Sequence, residues 1–303
     1  MGAPKLDHIN TISTNPIIKY YLKIQSGEEI VSKKVARVYR HIVEDILLNP
    51  ESEWEFDEVE ASIALDFIQQ HCKHTKGKYA GQLFKLELWQ KAVIAAAFGI
   101  VHKIDRTRKY QEVILLVARK NGKSTFAAAI GLYLLIADDE MGPEVYAVAT
   151  KKDQAKIIWL EARRMIRRSE TLRKHAKTKH SIIETPFNDG TFAPLGRDSD
   201  TLDGLNVHGA TMDEIHAWKD MNLYDVVADG TSSRENPLIF IISTAGTVRE
   251  SVYDRLYDEG KMVINGYDDE NGYKNERMLP IFYELDKRDE WTDPSAWKKA
   301  NPD

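Results

Sequence analysis

Residues 113–137 read VILLVARKNGKSTFAAAIGLYLLIA. Val113–Val117 is a run of apolar residues, the pattern of a buried strand. Ala118–Gly122 is a short polar turn, and Lys123–Ala137, rich in Ala, Leu and Ile, has the composition of a helix. Strand, tight loop, Gly-Lys-Ser and helix is the layout of a phosphate-binding P-loop. Backbone N–H groups of such a loop converge on phosphate oxygens at a helix N-terminus, where the helix dipole adds positive potential. The candidate nucleotide-binding residues here are Ala118, Arg119, Lys120, Asn121, Gly122, Lys123, Ser124 and Thr125. Lys123 is placed to reach the β- and γ-phosphates of ATP, and the Ser124 hydroxyl to sit on Mg²⁺. The loop departs from G-x-x-x-x-G-K-[ST], because Val117 stands where the first Gly is expected. A bare Gly-Lys-Ser is common, so the strand before it and the helix after it carry the weight.

Downstream, Val145–Ala149 reads as a strand, and a long helix follows to about Arg168 with Ile158, Ala162, Met165 and Ile166 toward the core. Lys151–Lys179 holds eleven Lys or Arg against three acidic residues. Two readings stand for it, a solvated face or contact with a phosphate backbone. Asn188-Asp189-Gly190 between Ser181–Pro186 and Thr191–Pro194 is a hairpin signal. Val207–Met212 is a strand interrupted by His208, Gly209 and Thr211, and it leads into Asp213-Glu214. A strand ending in Asp-Glu after a P-loop is the second half of an NTPase site. Asp213 is the candidate Mg²⁺ residue and Glu214 the one that polarises the attacking water. Leu238–Ile242, LIFII, is a buried strand that ends in Ser243-Thr244-Ala245-Gly246-Thr247, small residues where ligands bind in open α/β sheets.

Upstream, residues 1–30 read as a polar, exposed arm, followed by helices over 31–48 and 59–72 and a basic loop over 73–82. Phe84–Phe98 reads as a third helix, carrying Trp89-Gln90. Gln90 has an amide that could read an adenine edge, or it is a polar residue on a packed helix. From Glu250 to Asp303 there are fourteen acidic residues and eight Lys or Arg, with few strand signals, which predicts a small, mainly helical lid or linker.

The chain has 303 residues, 43% of them hydrophobic and 29% charged, as in ordinary globular proteins. A net charge of −5 gives no global nucleic-acid signature, so any such contact must be local. Cys72 is the single cysteine, which excludes an intrachain disulfide. With His71 and His74 it supplies three metal-ligand types and no fourth. No apolar run reaches membrane-spanning length.

Leu88-Trp89-Gln90, Ala118–Ser124 (ARKNGKS), Thr211–Trp218 (TMDEIHAW) and Ser243–Thr247 (STAGT) resemble, in this order, the large terminase subunit of tailed bacteriophages, in the branch of HK97-like phages. Arg234–Pro237 (RENP) and Asp293–Pro302 (DPSAWKKANP) are similar to the same family, the latter to the segment that joins motor and nuclease domains. The resemblance implies an α/β fold of the ASCE or RecA-like P-loop class, a mainly parallel sheet flanked by helices with a small helical lid. With the reading along the chain, this divides it into an N-terminal helical arm over 1–80, an ATPase core over 81–249 and a lid or linker over 250–303. It implies an ATP- and Mg²⁺-dependent motor that moves double-stranded DNA into a procapsid. Its partners would be the portal protein, the small terminase subunit and copies of itself in a ring, in the host cytoplasm and with no membrane.

By position, Gln90 would contact adenine, and Arg119 would be the extra basic residue of the Walker A loop. Asp213 and Glu214 would be the Walker B pair, and Ser243, Thr244, Ala245 and Gly246 the motif coupling hydrolysis to movement. For a catalytic arginine reaching the next subunit's site, Arg234 is preferred over Arg197. The family's nuclease half would begin where this chain stops, so no DNA cleavage is expected. Two further readings are a DExH helicase, on Asp213-Glu214-Ile215-His216, and a nucleotide-gated DNA-binding module. The first needs a second RecA-like domain. The second sits poorly with a water-polarising Glu214.

Overall fold

Asn15-Pro16 pairs an N-cap side chain with a residue that has no N–H to lose, and it starts helix α1 (Pro16–Ser26). The computed structural model describes residues 14–199, 204–244 and 251–302. The Asn15 side chain accepts the Ile17 N–H at 2.9 Å, and Gly27 closes the helix at φ 77°. Ile17, Ile18, Tyr20 and Tyr21 are buried. The described part of the expected exposed arm is therefore a packed helix. α2 (Lys33–Arg40) continues as a π-helical stretch over His41–Leu47. After β1 (Trp54–Phe56) comes α3 (Glu58–His71), capped by Asp57. α4 (Leu88–Gly99) starts later than the apolar pattern suggests, because Glu87 and Gln90 form a reciprocal capping box. β2 (Ile100–His102) pairs antiparallel with β1.

The remaining elements are β3 (Glu112–Leu116), α5 (Lys123–Ile136), β4 (Glu144–Val148), α6 (Lys152–Arg168), α7 (Glu170–His175), β5 (Lys177–Thr178), β6 (Ile183–Thr185), β7 (Gly190–Leu195), β8 (Val207–Asp213), α8 (Asn222–Asp229), β9 (Leu238–Ser243), α9 (Val252–Gly266) and β10 (Met278–Phe282). Eight of the strands form one sheet in the order β10-β3-β9-β8-β4-β7-β6-β5. The pairs from β10 to β7 are all parallel, and β6 and β5 add antiparallel edge strands. β9 is buried along its whole length, as a central parallel strand must be. It lies between β3 and β8, so one strand separates the phosphate loop from Asp213. Because these strands are parallel, the carboxyl ends of β3, β4, β7, β8 and β9 gather at one edge. The loop before β9 lies at the other.

The polar interruptions in β8 have structural reasons. His208 is fully buried with Nε2 2.7 Å from Asp138 Oδ2, and Asp138 also takes Arg108 at 2.7 Å. A Cβ on Gly209 would stand 2.7 Å from Leu134 Cδ1, so the glycine lets α5 lie close on the sheet.

The mainly helical reading of residues 250–303 includes α9 but misses β10, which is the edge strand of the sheet beside β3. Pro280 hides it in the sequence. Proline is excluded from central strands, but it is tolerated at an edge. The N-terminal helices are joined to this edge: Ser32 Oγ donates to Phe282 O at 2.8 Å, and the Tyr20 and Tyr283 hydroxyls lie 3.0 Å apart. One apolar core runs from α1 through the sheet to Tyr283.

Candidate nucleotide site

The chain stays strand-like one residue past β3. Val117 donates its N–H to Ser243 O at 3.1 Å and buries its side chain, which explains a valine where the P-loop pattern has glycine. The turn then uses two left-handed residues, Lys120 at φ 73° and Gly122 at φ 63°. A Cβ on Gly122 would meet nothing within 4 Å, so its dihedral, not space, calls for glycine there. Asn121 is buried, and its side-chain amide donates to Ala118 O at 3.0 Å and to Asn301 Oδ1 at 3.3 Å. Ala118 N–H donates to Ala300 O at 3.1 Å. Residues 300 and 301 therefore brace the loop from outside. Sequence reading did not give them this role, although the similarity of residues 293–302 to the family marked the segment.

Lys123 opens α5 and folds its ammonium onto the loop, 2.9 Å from Ala118 O and 3.5 Å from Val117 O. Burial holds it below the usual lysine range, while the charges of Asp213 and Glu214 pull the other way. Ser124 Oγ lies 3.5 Å from Asp213 Oδ2. The Asp213 carboxyl is pushed up to about 6, first by burial and then by Glu214, against the Glu214 N–H, Lys123 and Ser124. A buried carboxylate beside a hydroxyl suits Mg²⁺, which takes few protein oxygens and keeps waters and phosphate oxygens for the rest.

Glu214 turns the chain out of β8 with φ 55° and ψ 36°, the left-handed region, a costly conformation for this residue type. Its side chain is 48% exposed, with Oε2 3.1 Å from His216 Nε2. His216 Nδ1 lies 3.3 Å from Ser243 Oγ, at the buried end of β9. The structure thus brings Lys123, Ser124, Asp213, Glu214 and Ser243 to one edge, and adds His216. Thr244 follows Ser243 and is buried, whereas Ala245 and Gly246 lie outside the described residues. Arg119 and Lys120 are exposed in the loop, and Thr125 Oγ1 faces Glu161 at 3.5 Å. Gln90 is buried, and its Oε1 accepts the Glu87 N–H at 3.0 Å. Its neighbour Trp89 packs edge-on to Phe126 in the first turn of α5.

Arg234 is not brought to this edge. It precedes β9, at the opposite end of the parallel strands. Its guanidinium donates to Glu140 Oε1 at 2.6 Å, Asn206 Oδ1 at 2.7 Å, Gly142 O at 2.7 Å and Met141 O at 3.1 Å. It is a staple between loops of its own chain, with Glu140 as its acid. Arg197 follows β7 on the phosphate edge, half exposed and paired with Asp220. Beside α5, Lys76 Nζ of the 73–82 loop lies 3.8 Å from Glu161 Oε2, and Arg164 Nη1 lies 3.5 Å from the same oxygen. The loop and α6 therefore form one basic surface, with Arg167 and Arg168 exposed at its end.

A model of the terminase large subunit ATPase domain matches residues 88–262. The large terminase subunit of Enterobacteria phage HK97 is 26% identical over 243 residues, covering 78% of this chain and 45% of that protein. The terminase large subunit of Lactococcus phage p2 is 24% identical over 233 residues, covering 73% and 42%. The crystal structure of the HK97 large terminase shares the fold, with a TM-score of 0.66 at 22% identity over 80% of this chain and 47% of that one. The chain spans less than half the length of these relatives. The matched stretch runs from the first residue of α4, through both strands that carry the phosphate site, and into α9, and the chain belongs to the family of terminase large-subunit ATPase domains.

Proposed function

We propose that this chain hydrolyses ATP with Mg²⁺ and is the motor part of a DNA-packaging terminase, moving double-stranded DNA into a procapsid. The observation that carries the reading is the convergence of Lys123, Ser124, Asp213 and Glu214 at the carboxyl edge of β3 and β8, with β9 between. Backbone N–H groups of residues 119–124 cradle the phosphates, and the Lys123 ammonium leaves its loop carbonyls to neutralise charge on the transferring phosphoryl group. Ser124 and Asp213 would hold Mg²⁺, which when bound would supply positive charge to offset that of the phosphates. Glu214 accepts the proton of the attacking water. Ser243 and Thr244, with Ala245 and Gly246, couple the phosphate state to movement of β9. Gln90 faces the adenine once its cap opens, and Arg119 acts within its own subunit.

Duplex DNA, the portal protein, the small terminase subunit and a homo-oligomeric ring complete the reading, in the host cytoplasm. Among the described residues no helix is long and apolar enough to cross a membrane, and no nuclease role is assigned to this chain. Arg197 is the candidate for completing a neighbour's site. The direct test is phosphate release from ATP with and without duplex DNA. Turnover that needs Mg²⁺ and is lost in Lys123→Ala supports the reading. Absence of turnover in DNA-loaded, assembled protein counts against it.

A further inference from the structure

We infer that His216 is a positioning residue that holds the Glu214 carboxylate and makes its placement answer to Ser243. This inference rests on the proposed hydrolysis for its kinetic arm. It stands on two contacts of one imidazole: Nδ1 lies 3.3 Å from Ser243 Oγ, a hydrogen bond, and Nε2 lies 3.1 Å from Glu214 Oε2, a charge contact out of line for a hydrogen bond in this arrangement. Glu214 belongs to the turn after β8 and Ser243 to the end of β9. The ring is therefore a side-chain link between the turn after β8 and the end of β9, strands that also pair through their backbones.

The donor count makes the link two-state. A neutral imidazole has one N–H and one acceptor nitrogen. Ser243 Oγ is also placed to donate to Thr244 O, at 3.1 Å. If the hydroxyl turns to His216, Nδ1 accepts, and the single ring N–H is then at Nε2, the nitrogen that faces Glu214. If the hydroxyl stays on Thr244 O, only an N–H at Nδ1 can satisfy Ser243. Nε2 of the neutral ring then presents a lone pair, not an N–H, to Glu214. The Ser243 rotor thus selects the tautomer of His216, and with it whether an N–H faces the carboxylate. Since Ser243 O also receives the Val117 N–H, a shift of the phosphate loop reaches Glu214 by this route.

The test combines kinetics with a spectroscopic readout. His216→Ala should lower the single-turnover hydrolysis rate about 10²-fold, the scale of a misplaced catalytic group, with nucleotide affinity unchanged. His216→Gln should recover much of the loss, because its amide can donate to Glu214 and accept from Ser243. The double variant His216→Ala, Ser243→Ala should be no slower than His216→Ala alone, since both remove one link. A wild-type rate in His216→Ala, or losses that multiply in the double variant, overturns the inference. If the wild-type chain does not turn over ATP, the proposed function fails, and the link is read without activity from the ¹⁵N resonances of the His216 ring. Glu214→Gln should shift Nε2 and Ser243→Ala should shift Nδ1. Ring nitrogens unmoved by both changes overturn the inference.

Discussion

Ser124 Oγ and Asp213 Oδ2 stand 3.5 Å apart although their strands, β3 and β8, are not neighbours in the sheet. The hydroxyl and the carboxylate reach toward each other past the end of β9. The Asp213 carboxyl sits there with burial raising its pKa from the usual 3.8 to about 6. Between those values the folded chain keeps a proton that the unfolded chain has lost. Stability should therefore fall as pH rises through this window and level off above about 6, by up to roughly 3 kcal/mol. Asp213→Asn should flatten that part of the profile. On the proposed reading Mg²⁺ with nucleotide would engage the ionised carboxylate, so its thermal stabilisation should grow over the same range. Melting curves from about pH 4 to 7.5 check both points, and an Asn variant with the full wild-type slope would assign the proton elsewhere.

Glu214→Gln should keep nucleotide binding and lose hydrolysis, because shape is preserved and only the proton acceptor is gone. The expected loss in single turnover is about 10²–10⁴-fold. Isothermal titration beside quenched-flow measurements separates the two effects. Wild-type turnover in the Gln variant removes Glu214 from the catalytic set.

Arg234→Ala and Arg197→Ala should fail differently. The first strands the Glu140 carboxylate and the Gly142 carbonyl, so it should cost roughly 2–4 kcal/mol of stability. The second lies on the surface, should change stability by less than about 0.5 kcal/mol, and should lower turnover in assembled rings by about 10³-fold or more. Mixing Arg197→Ala subunits with Glu214→Gln subunits should restore part of the rate, since some interfaces then pair an intact arginine with an intact glutamate. No rescue in rings shown to mix would make Arg197 a surface ion-pair residue only.

Reversing Arg167 and Arg168 to Glu should weaken duplex DNA binding and reduce the log–log salt slope by about two. Fluorescence anisotropy over a salt series measures it. An unchanged slope leaves the basic surface of α6 and the 73–82 loop as solvated charge.

The central sheet and the phosphate loop were legible because their cause is local. An apolar run, a Gly-Lys-Ser and an Asp-Glu each mark their own position. β10 was not, since Pro280 argues against a strand unless the strand is known to be an edge. α1 did carry a signal, Asn15-Pro16 before an apolar face, but the surrounding polar residues masked it. The opposite placement of Arg234 was also available: in a parallel sheet a loop before a strand cannot share an edge with a loop after one. Gln90 and His216 were undetermined for another reason. Capping its own helix, or bridging two strand ends, depends on side-chain geometry that no spacing reveals.

Ala118 and Asn121 hang by two hydrogen bonds on Ala300 and Asn301. The segment that supplies those bonds follows β10 and is anchored by Lys299 to Asp286 and Glu290, both at 2.8 Å. Tension or displacement at residues 296–302 therefore arrives at the phosphate loop within a single contact, bypassing the stiff sheet. On the proposed reading, the loop that grips nucleotide would in this sense be a gauge of how residues 296–302 sit.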